Sequence, residues 1–246
     1  MTRYDFTTQP NRLDQNTMKW HEAESNPELL ELWVADMDFL PVPEIREAVI
    51  NYAQTHIFGY PYPSDELYQA IIDWEKNQHG YVVDKESIVL IEGVVPAIST
   101  AIQAFTKEGD AVLINTPVYP PFARSVRLNN RKLIENSLVK VDGHFEIDFE
   151  QLERDIVDND VKLYVFCSPH NPGGRVWTKE ELTKVADLCQ KHGVLLVSDE
   201  IHQDLALYGN KHISMNTISD AYKDFTLVLS SATKTFNIAG TKNSFT

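Results

Sequence analysis

Hydrophobic and polar positions change their period twice along this chain. Residues 43–56 carry Ile45, Val49 and Tyr52 at helical spacing behind a proline, which predicts a helix there. Gly59-Tyr60-Pro61 interrupts it, and Ser64, a residue suited to an N-cap, opens a second helix that runs to Trp74. From Ser87 onward short β-rich runs alternate with amphipathic stretches. Strands are predicted at 88–91, 111–115, 132–138, 163–167, 194–198 and 226–229, and helices at 94–105, 149–157 and 178–192. The alternation predicts an α/β fold, three αβα layers around a mainly parallel sheet. Residues 1–42 read as an irregular N-terminal arm ending in Trp33-Val-Ala-Asp-Met-Asp-Phe39.

Sheets of this kind place their sites at the C-terminal ends of the strands. Five predicted strand ends present polar or Gly-Pro chemistry. Gly93 follows the first, Pro117-Val-Tyr119 the second, and Ser168-Pro-His-Asn171-Pro-Gly-Gly174 the run at 163–167. Asp199-Glu-Ile-His202 follows 194–198, and Ser230 to Lys234 follows 226–229. The expectation is one shared site.

Lys234 is the candidate nucleophile. A lysine in an enclosed apolar site loses its proton more readily and forms a Schiff base with an aldehyde. Ser231, three residues before it, and Lys242, eight after it, have the offsets of a phosphate cradle. Alone, Lys234 would read as an exposed lysine at a helix start.

Asp199 could pair with a protonated ring nitrogen; on residue type alone a helix N-cap is the better reading. Asn171 could donate to a phenolate-like oxygen or merely shape a tight turn. Tyr119 could stack on a flat ring or pack in its turn. Gly93 and Val94, at a strand-to-helix junction, could offer N–H groups to a phosphate or simply start a helix. His202 could bond a cofactor, although a lone histidine is more often structural.

Composition narrows the classes. The chain has 246 residues, a net charge of -14 and no basic run, which argues against a nucleic-acid surface. No apolar run reaches membrane-spanning length, and the first residues lack the apolar core of a secretory signal. Cys167 and Cys189 read as buried reduced thiols, in keeping with a cytoplasmic protein. The histidines show no metal-ligand spacing, and no G-x-S-x-G elbow supports a hydrolase.

Taken together, Trp33–Phe39, Phe58-Gly-Tyr60, Gly93-Val-Val-Pro-Ala97, Pro117–Phe122, Ser168–Trp177, Ser198–His202 and Ser231–Gly240 resemble pyridoxal-phosphate enzymes of the class I and II aminotransferase fold (fold type I). Within that fold they are most similar to the carbon–sulfur β-lyases of the MalY/PatB type, the cystathionine β-lyases. The motifs run in family order over nearly the whole chain. The resemblance implies that Lys234 binds pyridoxal 5'-phosphate covalently, Asp199 faces the ring nitrogen, Asn171 bonds the phenolic oxygen and Tyr119 stacks on the ring. Gly93, Val94, Ser231 and Lys242 would surround the phosphate, joined by Tyr60 from the partner subunit of a homodimer. His202 stands where many transaminases carry a tyrosine, which favours the lyase subgroup.

By the same resemblance, residues 1–42 would form the arm and part of a small domain, and residues 43–246 the cofactor-binding large domain. Two departures stand out. Glu92 replaces the small residue or proline expected before Gly93. The chain ends at Thr246, and no residue matches the arginine that clamps a substrate carboxylate, so a C-terminally truncated relative is expected. The implied activity is α,β-elimination on a sulfur amino acid, releasing thiol, pyruvate and ammonia. The alternatives are an aminotransferase and a non-catalytic cofactor-binding fragment or regulator.

Overall fold

The computed structural model describes residues 4–26 and 28–246. In chain order, helices α1 (Pro43–Thr55) and α2 (Asp65–Trp74) come first. Strand β1 (Leu90–Ile91), helix α3 (Val94–Phe105), strand β2 (Ala111–Thr116) and helix α4 (Pro121–Leu128) follow. Next are β3 (Lys132–Ser137), β4 (Val139–Val141), β5 (His144–Glu146), α5 (Phe149–Asp158) and β6 (Val161–Cys167). Helix α6 (Lys179–His192), strands β7 (Leu195–Asp199) and β8 (Thr226–Leu229), helix α7 (Ala232–Thr235) and strand β9 (Ser244–Phe245) complete the order. The chain divides into two compact units. One takes the residues up to Tyr62 together with Ala232–Lys242, the other Pro63–Ser231 and Asn243–Thr246.

The larger unit is built on a five-stranded sheet in the order β3-β2-β6-β7-β8, all parallel. Its inner strands β2, β6 and β7 are buried on both faces along most of their length, as a sheet covered on both sides requires, while the edge strand β3 is partly exposed. Along β6, Tyr164 and Phe166 join one core with α5 and α6, while Leu163, Val165 and Cys167 join another with α3 and α4. Ala111 and Leu113 of β2 face the first core, Val112 and Ile114 the second. The result is three layers, helices on both faces of one sheet.

Helix α6 shows how the sequence fixes its element. Leu182, Val185, Ala186 and Cys189 fall at i, i+3, i+4 and i+7 and are buried. Thr178 and Glu181 form a capping box, and Gly193 closes the helix in the left-handed region at φ 66°. Ser64 caps α2 as predicted, its hydroxyl accepting from the Leu67 N–H at 3.3 Å. Beyond Trp74 that helix widens into a π-turn over Glu75–His79, which the sequence pattern did not disclose.

The predicted strand at 88–91 needs correction. Only Leu90–Ile91 is extended, and it pairs antiparallel with β9, outside the five-stranded sheet. Strand β9 is bridged in turn to Ser230, just past β8. Four of the five predicted strand ends therefore belong to the parallel sheet, and the fifth reaches it through β9. Helix α4 and the β4–β5 hairpin were not predicted.

In the smaller unit α1 forms as predicted, with Pro43 in its first turn, yet it buries none of its residues; Val49 and Tyr52 are exposed. The Trp33–Phe39 stretch is held by charge. Arg12 donates to Asp36 and Asp38, and Lys19 donates to Asp38 at 2.7 Å and to the Asp36 carbonyl at 2.9 Å. Trp20 adds an indole N–H to Asp38 at 2.9 Å. Among the described residues no helix is long and apolar enough to cross a membrane. Cys167 and Cys189 are free and buried.

Candidate active site

At the end of β7, Asp199 is 5% exposed and lies beside Cys167 of β6 in the sheet register. One carboxylate oxygen accepts from the Ile201 N–H at 3.1 Å, which orients the group. The helix-cap reading of Asp199 is thus wrong: the residues after it form a turn and a short 3-10 segment, Gln203–Leu205, not an α-helix. Val197, two residues earlier, packs in the core shared with α3, so the side-chain alternation of β7 puts Asp199 on the α3 face. Its charge and, chiefly, burial push the Cys167 thiol far above its ordinary range. That cysteine is structural, not a nucleophile.

Helix α3 starts on that face. Gly93 has φ 130° and ψ 151°, a combination that side chains avoid, and its N–H donates to the Ser244 hydroxyl at 3.0 Å. Ser244 donates onward to the Ile91 carbonyl at 3.0 Å, so β9 fixes the loop that enters α3. Val94 is buried at the head of this 12-residue helix, whose exposed N–H groups give the end a positive character.

Tyr119 and Asn171 come together from two neighbouring strands. The Tyr119 N–H donates to the Asn171 carbonyl at 3.1 Å, and the Asn171 N–H meets the Cys167 sulfur at 3.4 Å. The Tyr119 ring is 43% exposed and meets Phe122 edge-on, leaving a face available. Under the turn, His170 accepts from the Gly173 N–H at 3.2 Å, and burial lowers its pKa to about 4, so it is neutral. Only glycine suits position 173, because a Cβ there would lie 2.7 Å from His170 Nδ1. Trp177 locks the same turn through its indole N–H on the Cys167 carbonyl at 2.9 Å.

Ser231 is buried and donates to the Asn243 carbonyl. His202 is half-buried and its carbonyl accepts from the Leu205 N–H. In the smaller unit, Lys234 donates to the Ala35 carbonyl at 3.0 Å, and Asn237 exchanges bonds with Met37 and Phe39. Lys242 is exposed in a left-handed conformation, and Tyr60 is fully exposed. Glu92 is exposed.

Sequence reading missed the residues beneath the Asp199 loop. Glu200 is wholly buried, accepting from Ser198 at 2.8 Å and from the Met215 N–H at 3.0 Å, with His212 at 2.8 Å. A cavity of about 250 Å³ lies at the other end of β8, lined by Glu75, Tyr81, Ile88 and Thr226 among others, and contains none of the predicted site residues.

Residues 27–243 fit the aminotransferase class I and II family. Cystathionine β-lyase PatB of Bacillus subtilis is 44% identical over 96% of this chain and 62% of its own length. Protein MalY of Escherichia coli is 37% identical over 86% of this chain and 54% of its own. Among solved structures, cystalysin from Treponema denticola, which contains a pyridoxal 5'-phosphate cofactor, superposes with a TM-score of 0.93 at 40% identity, over 98% of this chain and 63% of that one. A PLP-bound C–S lyase from Staphylococcus hominis gives 0.92 at 32% identity.

The helices layered on a five-stranded parallel sheet match the PLP-dependent transferase fold, as the sequence led us to expect. The chain belongs to the class I and II aminotransferase family. It spans about three-fifths of the length of the curated relatives it matches.

Proposed function

We propose that this chain binds pyridoxal 5'-phosphate and carries the cofactor side of a carbon–sulfur β-lyase that acts on a sulfur amino acid. The observation that carries the reading is the buried Asp199 carboxylate at the end of β7, on the sheet face that α3 covers. The residues present fit the cofactor. Val94 would offer a backbone N–H at the start of α3 to its phosphate, Gly93 would shape the turn before it with its own N–H bonded to Ser244, and Ser231 and Lys242 are the further phosphate ligands of our reading. Asn171 suits the phenolic oxygen, and Tyr119 keeps an open ring face.

When bound, the cofactor supplies an electron sink for charge that develops at the substrate Cα. Asp199 holds a proton at the ring nitrogen, which keeps that sink strong. Lys234 would hold the cofactor through its amine, and the same amine would serve as the base for the substrate Cα proton. Asn171 and His202 hold the ring orientation. The names of the similar proteins support elimination as the reaction: PatB and the Corynebacterium glutamicum relative, 31% identical, are cystathionine β-lyases.

A homodimer, with Tyr60 reaching the partner's phosphate, accords with the exposure of Ile57, Phe58, Tyr60 and Tyr62. We place it in the cytoplasm, consistent with its two buried thiols. The arm at residues 1–42 and the large domain at 43–246 remain our division by function.

An aminotransferase is the second reading, favoured by 31% identity to the aspartate aminotransferase of Bacillus subtilis over 71% of this chain. The two separate on cystathionine. Pyruvate formed without added keto acid supports the lyase; amino transfer to a keto acid with no pyruvate supports the aminotransferase. Cofactor binding with neither reaction marks a non-catalytic binder.

A further inference from the structure

Six consecutive residues, Asp199 to Asp204, divide between two duties. Asp199 and His202 are the candidate cofactor ligands. The other polar members of the segment, Glu200, Gln203 and Asp204, turn to buried anchors. Gln203 donates to Glu75 at 2.7 Å and to Ser230 at 2.8 Å, tying the π-turn after α2 to the end of β8. Asp204 accepts from Trp74 at 3.2 Å and meets His79 at 2.8 Å, both from the same stretch as Glu75. Glu200 gathers the Ser198 hydroxyl, the Met215 N–H and His212.

From this geometry we infer that Glu200, paired with His212, is a positioning residue that fixes the Asp199 carboxylate for the cofactor ring. Side chains alternate across a strand, so Asp199 and Glu200 stand back to back at the end of β7. Glu200 lies on the face of Ser198 and Met215, and Asp199 on the face of Val197. Two adjacent residues thus meet opposite layers, and Glu200 is the side-chain anchor nearest Asp199 in a turn that Gln203 and Asp204 tie down further along. The carboxylate of Glu200 is fully buried and the His212 side chain is 1% exposed, so water does not weaken the pairing. The Ser168 N–H on the Asp199 carbonyl and the Glu200 N–H on the Leu229 carbonyl hold the peptide between the two residues, so freeing Glu200 acts one residue further on: Ile201 shifts, and its N–H no longer aims the Asp199 carboxylate. The inference rests on the reading of Asp199 as the ring-nitrogen partner.

The test measures the dissociation constant for pyridoxal phosphate and the pH dependence of the bound cofactor's absorption. It compares wild type, Glu200→Gln, His212→Gln, the double variant, Asp199→Asn, and Ile156→Val as a core variant of matched destabilisation remote from the loop. Glu200→Gln and His212→Gln should each weaken binding by about tenfold, the scale on which supporting contacts act in metal sites. The pH profile should shift toward that of Asp199→Asn. The double variant should be no weaker than the worse single one, because the two act as a unit. Where Glu200→Gln fails to fold, Ser198→Ala, which removes one bond to the same carboxylate, takes its place. A Glu200 variant that matches Ile156→Val while Asp199→Asn alters binding and spectrum overturns the positioning role alone. An Asp199→Asn protein that binds and absorbs as wild type does removes the cofactor reading beneath it.

Discussion

The Lys234 amine donates to the Ala35 carbonyl oxygen at 3.0 Å, joining the lysine motif to the Trp33–Phe39 stretch almost two hundred residues earlier. Asn237 reinforces that junction through Met37 and Phe39. Two segments singled out separately in the sequence thus form one local structure. The amine is held by a backbone that Arg12 and Lys19 keep in place.

Lys234→Ala should abolish covalent capture of the cofactor. The visible-range band formed on adding pyridoxal phosphate should vanish, as should borohydride-stable incorporation, and elimination should fall by about 10²–10⁴-fold, the usual share of a proton-transfer group. A borohydride-stable adduct of full yield in the variant would place the reactive lysine elsewhere.

Gly93→Ala addresses the phosphate end. An added Cβ meets only Pro96 at 3.4 Å, an ordinary contact, so the cost comes from the backbone at φ 130°. Such a conformation costs about 1–3 kcal/mol for other residues. The melting temperature should therefore drop by about 2–12 °C in a chain of this size. Calorimetry of the apoprotein checks this without the cofactor.

Glu75 should make the larger unit pH-sensitive. Burial, opposed by the Gln203 hydrogen bond, pushes its carboxyl up to about 7. Between the ordinary value of 4.5 and about 7 the unfolded chain gives up a proton that the folded chain keeps. Stability therefore falls as pH rises through that window, by on the order of 3 kcal/mol. Glu75→Gln keeps an oxygen for Gln203 and removes the penalty, so its urea midpoint should exceed that of wild type at pH 8 and change less between pH 4.5 and 7. Parallel profiles for the two proteins would discount Glu75.

In the smaller unit the sign reverses. Burial of Asp38 pushes its carboxyl up, but hydrogen bonds from Lys19, Trp20 and Arg12 outweigh it and hold the pKa below its ordinary value. That contribution is complete above the ordinary carboxylate range and is lost as pH falls through the folded-state value. Asp38→Asn should cost about 1–3 kcal/mol at pH 7, the range for hydrogen bonds to charged groups. Hydrogen exchange near Trp33–Phe39 should become faster at pH 7 and less sensitive to acid than in wild type.

What the sequence disclosed follows from how local each signal is. The runs at 163–167 and 226–229 are apolar, short and bounded by turn residues, and they became β6 and β8. Asp199, Asn171 and Gly93 were legible because strand-end chemistry is contiguous in the chain. Helix α4 escaped notice because two prolines at its head and two arginines within eight residues read as loop. The anchors of Gln203 were invisible for another reason: its partners Glu75 and Ser230 lie 128 and 27 residues away, and no spacing rule joins them. The stripe of α1 shows the converse, a periodic pattern of which no residue is buried.

Strand β9 carries a consequence for synthesis. The N–H of Gly93 bonds a hydroxyl made 151 residues later, and Leu90 and Ile91 find their strand partners there. By the time the ribosome reaches Ser244, β2, β6 and β7 can already have paired. The loop that opens α3 has to wait until Ser244 emerges from the exit tunnel. A nascent chain stalled before that point can hold a sheet, but not the turn at its phosphate end.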